Sequence, residues 1–345
     1  PLIFNLSLIG SAWLVAPKID IPVMALAWGV LLAGFLQLLF QIAPLASIKK
    51  IPVPKIDFQN PGVKKFFILI LPAIVAGGIA QINLLVDTIF ASLLITGSPT
   101  WLYVSDRLIQ FPMGIFAIAV GTVLLPGLSK SYAQKEIKAF TEQLENAFKL
   151  IFFLAIPSLI GLILFASPLL ATIFQRGAFL WTDVQQASLS LIGFSLGLPF
   201  FMAMKVLVPA FFSRQNTKTP MLIAFLSLLI NVCLNYLLAF YFGLGHLGLA
   251  IASSISAIVS VMILSFILKT EGLISFSGIF SAFSFKVLIA SVALISFLSI
   301  FNQYFDFELF TEVQRLLHLG AAVIGSFIIY FGVSFLLGVR TTDFK

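Results

Sequence analysis

The sequence predicts an all-α, polytopic membrane protein, and three observations support this prediction. Of the 345 residues, 60% are hydrophobic and only 10% are charged, and the mean hydropathy is +1.12. In a soluble protein, roughly a quarter of the residues are charged. The apolar residues form continuous runs, whereas membrane β-strands alternate with period two over about ten residues. The chain is therefore expected to cross a membrane as helices.

Ten apolar runs reach or approach the length of a transmembrane helix, which needs about 20 residues. They predict ten transmembrane helices: Leu2–Ala16, Pro22–Ile42, Phe66–Val86, Leu108–Ser129, Leu150–Phe174, Ala187–Met204, Pro220–Phe242, Leu247–Leu268, Val287–Phe305 and Leu316–Val339. Between the fourth and fifth runs, Ile137, Phe140, Leu144 and Phe148 recur at helical spacing. This pattern predicts an amphipathic helix near residues 133–148 that lies on the cytoplasmic face.

The orientation follows from lysine and arginine, which concentrate in cytoplasmic loops. Alternate connections, beginning with the second, hold 15 of these residues, whereas the opposite set holds four: Lys18, Arg107, Arg176 and Arg315. This asymmetry predicts that the loop 49–65 and both ends of the chain are cytoplasmic.

Several function classes find no support in the sequence. The chain contains one cysteine, Cys233, in an apolar run, so a disulfide framework and a cysteine metal site are excluded. It carries no metalloprotease, serine-hydrolase or phosphate-loop motif. We therefore expect neither an enzyme nor a nucleotide-driven pump, and any transport must use an ion gradient or the membrane potential.

Asp106 and Arg107 stand side by side at the outer end of the fourth run, and Gln110 follows one turn later. Charges at the edge of the hydrocarbon are costly unless a partner, a wet cavity or a ligand meets them. Arginine offers a planar fork of donors that matches phosphate or carboxylate. Arg107 is thus a candidate anion ligand, and the alternative is an interfacial arginine that reaches the lipid head groups.

Three further polar residues lie inside predicted spans. Asp87 is in the third run, and Asn231 and Asn235 share one face of the seventh. A carboxylate with two amide oxygens suits a small cation, although asparagines also join helices by hydrogen bonds. Lys205 lies in the stretch that leads to Arg214 and Lys218, and its length would allow it to reach the cytoplasmic interface.

Four stretches resemble the MurJ (MviN) family of lipid II flippases. They are Pro72–Ile74 with Gln81–Ser92, Asp106–Gly114 running on to Leu124–Ser129, Phe174–Phe179, and Lys205–Pro220. The resemblance extends over essentially the whole chain.

The family resemblance implies a fold of 14 helices in two lobes around a cationic cavity. On this basis residues 1–48 form the last two helices of the first lobe, 49–65 the loop between lobes, 66–268 the second lobe, and 269–345 a helix pair with a lipid-tail groove. Because Pro1 matches the start of the family's fifth helix, the first four helices, with their cavity arginines, are expected to be missing.

The resemblance also implies roles for individual residues. Asp106 and Arg107 match the acid–base pair that faces the cavity, and Gln110 stands where some members have an acid. Asp87, Asn231 and Asn235 match a sodium site of some members, with Ser253 as a further ligand. Lys205, Arg214 and Lys218 match a motif on the cytoplasmic side.

The expected function is export of lipid II, the undecaprenyl-pyrophosphate-linked disaccharide-peptide, by alternating access. The expected location is the bacterial inner membrane, with membrane lipids around a monomer, no nucleic-acid partner, and no cofactor other than Na⁺. The alternatives are an O-antigen lipid flippase or a multidrug/cation antiporter of the same superfamily, and a membrane scaffold that does not transport.

Overall fold

The computed structural model describes residues 2–48, 61–275 and 282–344, and the described residues fold as helices connected by turns. The α-helices are α1 (Leu2–Gly10), α2 (Pro22–Ser47), α3 (Pro61–Ser92), α4 (Ser98–Pro112), α5 (Ile118–Ala133), α6 (Ile137–Leu164), α7 (Ala166–Phe174), α8 (Trp181–Ser195), α9 (Leu198–Phe212), α10 (Lys218–Asn235), α11 (Gly245–Thr270), α12 (Ala282–Tyr304) and α13 (Glu312–Leu336). The all-α membrane class is therefore confirmed. Most of the predicted loop 49–65 lies outside the described residues.

Eight helices of the described chain are long and apolar enough to cross a membrane. A ninth crossing is obtained if α8 and α9, which meet at 43°, count as one broken span. The first predicted span corresponds to the shorter apolar helix Leu2–Lys18. The described residues thus contain eight or nine long spans, compared with the ten that were predicted.

The chain divides into two compact units, Pro1–Lys64 and Lys65–Lys345. In the first unit α1 and α2 pack closely at Gly29, where an added Cβ would meet the Ser11 side chain. The second unit contains every helix from α4 onward and nearly all of α3. The candidate functional residues named above belong to this second unit.

The fourth span begins earlier than predicted. Gly97, with a φ of 103°, and Pro99 in the first turn start the helix α4, and a π-helical turn over Met113–Ala117 joins α4 to α5. The result is one apolar element over Ser98–Ala133. Asp106 therefore lies about 12 Å along the helix from Ser98, at 1.5 Å per residue, and not at its outer end.

The prediction of a separate amphipathic helix near residues 133–148 is wrong. These residues are part of one helix, α6, which runs on to Leu164. Phe140 and Leu144 are fully buried in the main hydrophobic core together with residues of α5 and α9. The apolar face is therefore covered by protein and does not lie on a membrane surface.

The helix pair α12–α13 packs on α6. The Tyr330 hydroxyl donates to the Phe153 carbonyl at 2.8 Å, and both side chains are buried. Phe165, which follows α6, joins the same hydrophobic cluster. The pair thus belongs to the compact unit that carries the candidate site.

Candidate functional site

A cavity of about 580 Å³ lies among α3, α4, α9 and α11. We call it the larger cavity. Its wall is unusual for this apolar chain because it carries two acids, a lysine and several amide or hydroxyl side chains. The polar and charged residues of the wall are Asn83, Asp87, Thr88, Tyr103, Asp106, Gln110, Lys205 and Ser253.

Asp106 and Gln110 face this cavity from one side of α4. They are four residues apart, and the Gln110 amide nitrogen donates a hydrogen bond to an Asp106 carboxylate oxygen. In the described part of the chain, the single ion pair within 4 Å is Arg214–Glu271. Asp106 is therefore paired with a neutral amide and has no cationic partner within 4 Å among the described residues.

Arg107 does not line the larger cavity. Its exposed guanidinium lies 4.9 Å from the centre of the Tyr103 ring, and Tyr103 is part of the cavity wall. Neighbouring positions of a helix point about 100° apart, so Asp106 faces the cavity and Arg107 turns aside. The two residues do not form an ion pair, and Arg107 stands at the rim of the cavity.

Lys205 is placed by α9 on the wall of the same cavity. It has no hydrogen-bond or ion-pair partner among the described residues, and its side chain is exposed. The approach of α5 makes this position close-packed, since a Cβ on Gly121 would come within 2.7 Å of the Lys205 carbonyl oxygen. Lys205 is the one basic residue among the described residues that line the larger cavity.

The four residues of the expected sodium site meet at one point. Asp87 accepts hydrogen bonds from the Asn235 amide nitrogen at 2.6 Å and from the Ser253 hydroxyl at 3.2 Å. Asn231 accepts from Asn235 at 2.9 Å and donates to Ser253 at 3.1 Å. These contacts join α3, α10 and α11 in a closed ring, which we call the amide cluster.

Two buried amide oxygens next to the amide cluster have no hydrogen-bond partner. One belongs to Asn235 and the other to Asn83, which precedes Asp87 by one helical turn. A buried acceptor without a partner costs about 1–3 kcal/mol, and a cation would relieve this cost. Asn83 is a candidate ligand that the sequence analysis did not name. Its four-residue spacing from Asp87 places both residues on one face of α3, and this spacing could have identified it.

The donor set fits Na⁺ better than a divalent metal. It offers one carboxylate with amide and hydroxyl oxygens, and hard cations prefer oxygen ligands. No group of three His, Cys, Asp or Glu side chains occurs within residues 2–48, 61–275 and 282–344. A single carboxylate balances a single positive charge.

Arg214 and Lys218 lie away from the larger cavity. Arg214 follows the end of α9, pairs with Glu271 just after α11, and stacks 4.9 Å from the Phe211 ring centre. Lys218 is exposed at the first turn of α10. This end of the bundle is held by a charge pair between helices, and neither residue is placed to touch a ligand in the cavity.

Comparisons with known proteins point to one family. The model of the family described as "Lipid II flippase MurJ" matches residues 1–317. A probable lipid II flippase MurJ from Vibrio cholerae is 41% identical over 76% of this chain, and the match covers 50% of that protein. Its counterpart from Haemophilus influenzae is 38% identical over 99% of this chain and 68% of its own length.

A solved structure agrees with these matches. The lipid II flippase MurJ in an inward closed conformation superposes with a TM-score of 0.71 and 27% identity over 96% of this chain and 65% of that chain. The chain thus spans about half to two thirds of the length of the relatives it matches.

Proposed function

Because the chain belongs to the family of the lipid II flippase MurJ, we propose that it takes part in moving lipid II from the inner to the outer leaflet of the bacterial cytoplasmic membrane. The observation that carries this proposal is the larger cavity, a charged recess in an otherwise apolar helical bundle. Polar groups inside a membrane are costly and mark substrate pathways.

The cavity wall suits parts of the lipid II head group. The Lys205 ammonium is a point charge for the pyrophosphate, and Arg107 at the rim offers a bidentate fork to the same anion. Asp106 and Gln110 present a carboxylate and an amide, which bind sugar hydroxyls and peptide N–H groups. Pockets of about 300–1,000 Å³ hold drug-sized ligands, so about 580 Å³ accommodates the pyrophosphate region and not the whole head group.

The direction and the driving force follow from charge. The lysine and arginine asymmetry of the loops supports cytoplasmic ends and entry of the head group from the cytoplasm. We propose that the cavity opens alternately to the two sides. The two acids of the wall balance Lys205 and Arg107, so a Na⁺ ion bound beside Asp87 would give the empty site a net positive charge. An inward-negative potential acts on such a charge at about 2.3 kcal/mol per charge per 100 mV and would favour its return to the cytoplasmic side.

The amide cluster and Asn83 are the proposed residues for holding Na⁺. A bound ion would supply a positive charge opposite Asp87 and would join α3 to α10 and α11 more firmly than hydrogen bonds alone. The hydrogen bonds from Asn235 to Asp87, from Asn231 to Ser253 and from Ser253 to Asp87 already join the three helices, and an ion would reinforce these contacts.

The proposal is tested by depletion of the chain in cells that depend on it. Lipid II should accumulate with its head group inside, inaccessible to a reagent that modifies only the outer surface, and expression of the chain should restore access. Loss of surface polysaccharide with normal lipid II exposure would favour an O-antigen flippase. Lost drug efflux would favour an antiporter, and normal export by Asp106→Ala would favour a scaffold.

A further inference from the structure

A second cavity, of about 400 Å³, lies in the same compact unit and shares no lining residue with the larger cavity. We call it the smaller cavity. Its wall is formed by the junction of α6 and α7 around Ser167, by Trp181 at the start of α8, and by the end of α12 with its turn, Asn302–Phe307. These helix ends fall on the side that the loop charges predict to be outside.

The smaller cavity carries an acid, Asp306, that has no counterion among the described residues. Asp306 is the charged residue of its wall. One carboxylate oxygen accepts the Glu308 backbone N–H at 3.0 Å, and the ion pair found within 4 Å among the described residues lies elsewhere. A ligand with a positive group would complete this site.

The nearby guanidinium does not neutralise Asp306. Arg315 is buried and donates to the carbonyl oxygens of Phe307 at 2.8 Å and Glu308 at 3.0 Å, and to the Gln175 amide oxygen at 2.7 Å. All three of its donor groups are thus engaged by neutral acceptors. Arg315 holds the turn that carries Asp306 and leaves the carboxylate free.

The remaining wall suits an amphiphile. Trp181 and Phe305 offer aromatic faces, which attract cations, and the Trp181 indole N–H is buried without a partner. The exposed amides of Asn302 and Gln303 can donate to phosphate oxygens, and Ile163, Leu164 and Ile192 offer apolar contact. Aromatic side chains at helix ends are also typical of the membrane–water interface.

We infer that the smaller cavity binds the head group of a bilayer phospholipid with a primary ammonium group, of the phosphatidylethanolamine type. Asp306 accepts hydrogen bonds from the ammonium, the aromatic faces of Trp181 and Phe305 surround it, and the two amides meet the phosphate. This assignment is independent of the lipid that the larger cavity transports.

The test measures binding of short-chain phosphatidylethanolamine to the purified full chain in detergent, by native mass spectrometry and by thermal stabilisation. Phosphatidylcholine, which lacks ammonium N–H donors, and anionic phosphatidylglycerol are compared at equal chain length. The expected order of affinity is phosphatidylethanolamine first, phosphatidylcholine second and phosphatidylglycerol last. Equal binding of the three lipids, or of the first two, would overturn the inference.

Variants separate the site from general lipid binding. Asp306→Asn keeps an oxygen for the Glu308 N–H and should weaken phosphatidylethanolamine binding about tenfold, equivalent to about 1.4 kcal/mol. Glu308→Gln removes the same charge two residues away, outside the cavity wall, and should leave binding unchanged. Trp181→Leu should weaken binding more than Trp181→Phe. Equal effects of Asp306→Asn and Glu308→Gln, or displacement of the bound phospholipid by lipid II, would contradict the assignment.

Discussion

At the scale of single residues, Lys205 is the side chain about whose position the structure adds most to the sequence. Its four-carbon stem and its place near the end of a predicted span favoured an interfacial lysine. Sequence spacing cannot tell which face of a helix meets a cavity that distant helices form. The structure places Lys205 on the wall that also carries Asp106, although 99 positions separate them.

Lys205→Gln should reduce lipid II export about ten- to a hundredfold, because a charge-assisted hydrogen bond contributes about 1.5–3 kcal/mol. Lys205→Arg should retain part of the activity. The measurement is outer-surface accessibility of lipid II in cells that carry only the variant. Lys130→Gln, a change of the same charge outside the cavity wall, serves as the control, and an equal effect of both glutamine variants would remove Lys205 from the site.

The sequence predicted Asp87, Asn231, Asn235 and Ser253 as one set, and the structure brings all four together. The four-residue spacing on α10 predicted a common face for the two asparagines. It could not predict the buried, unpartnered oxygens of Asn83 and Asn235, because these depend on how three helices meet.

Sodium should raise the free energy of unfolding of the purified chain by about 1.4 kcal/mol for each tenfold increase in sodium concentration above the Kd, and this should appear as a higher melting temperature. Potassium chloride at equal ionic strength is the control salt. Asp87→Ala should abolish the sodium effect and Asn83→Leu should weaken it, because each removes a candidate oxygen ligand. Ser227→Ala, a change on α10 outside the amide cluster, should keep the effect; an unchanged effect in Asp87→Ala would place the ion elsewhere.

At the scale of helices, apolar run length predicted the existence of most elements but not their ends. The fourth element starts at Ser98 because Gly97 and Pro99 provide its first turn, whereas its first ten residues are too polar to be counted in an apolar run. The amphipathic stretch at the start of α6 has the pattern of a surface helix. Phe140 and Leu144 are buried instead because α5 and α9 cover them, and no local pattern reports such tertiary contacts.

Gly121 tests the packing of α5 on α9. A Cβ there would lie 2.7 Å from the Lys205 carbonyl oxygen, so the helices must separate. Gly121→Ala should destabilise the protein by about 1–3 kcal/mol, as overpacking does, and should also reduce export by displacing Lys205. Gly161→Ala is the matched control because open space surrounds that position; comparable loss of thermal stability in both variants would contradict the close approach.

At the scale of the whole molecule, the membrane class was accessible from composition alone, because 60% hydrophobic residues leave too little polar surface for a soluble body. The count of spans was less accessible. The end of α8 and the start of α9 fall within one apolar run of the sequence. The 43° bend between them depends on how they pack, so the sequence does not show it. Membrane proteins tolerate such breaks where the backbone lines a cavity. The helix α9 lines the larger cavity through Lys205.

The larger cavity, the amide cluster and the smaller cavity all belong to the unit Lys65–Lys345. In the proposed account, one unit thus carries a site for the transported head group, a site for the ion and a site for a surrounding lipid. The head-group site and the ion site share the helix α3 and the residues Asn83 and Asp87. Binding of an ion would therefore change the charge on the wall of the larger cavity.

We expect the larger cavity to hold the lipid II head group, and site-specific photo-crosslinking in cells can test this claim. A photoreactive residue at Gln110, on the cavity wall, is compared with one at Val123, which is 78% exposed on the same apolar element and outside the wall. We expect a lipid II adduct at Gln110 that Lys205→Gln diminishes, and little at Val123. Equal adducts at both positions, insensitive to Lys205→Gln, would contradict the claim.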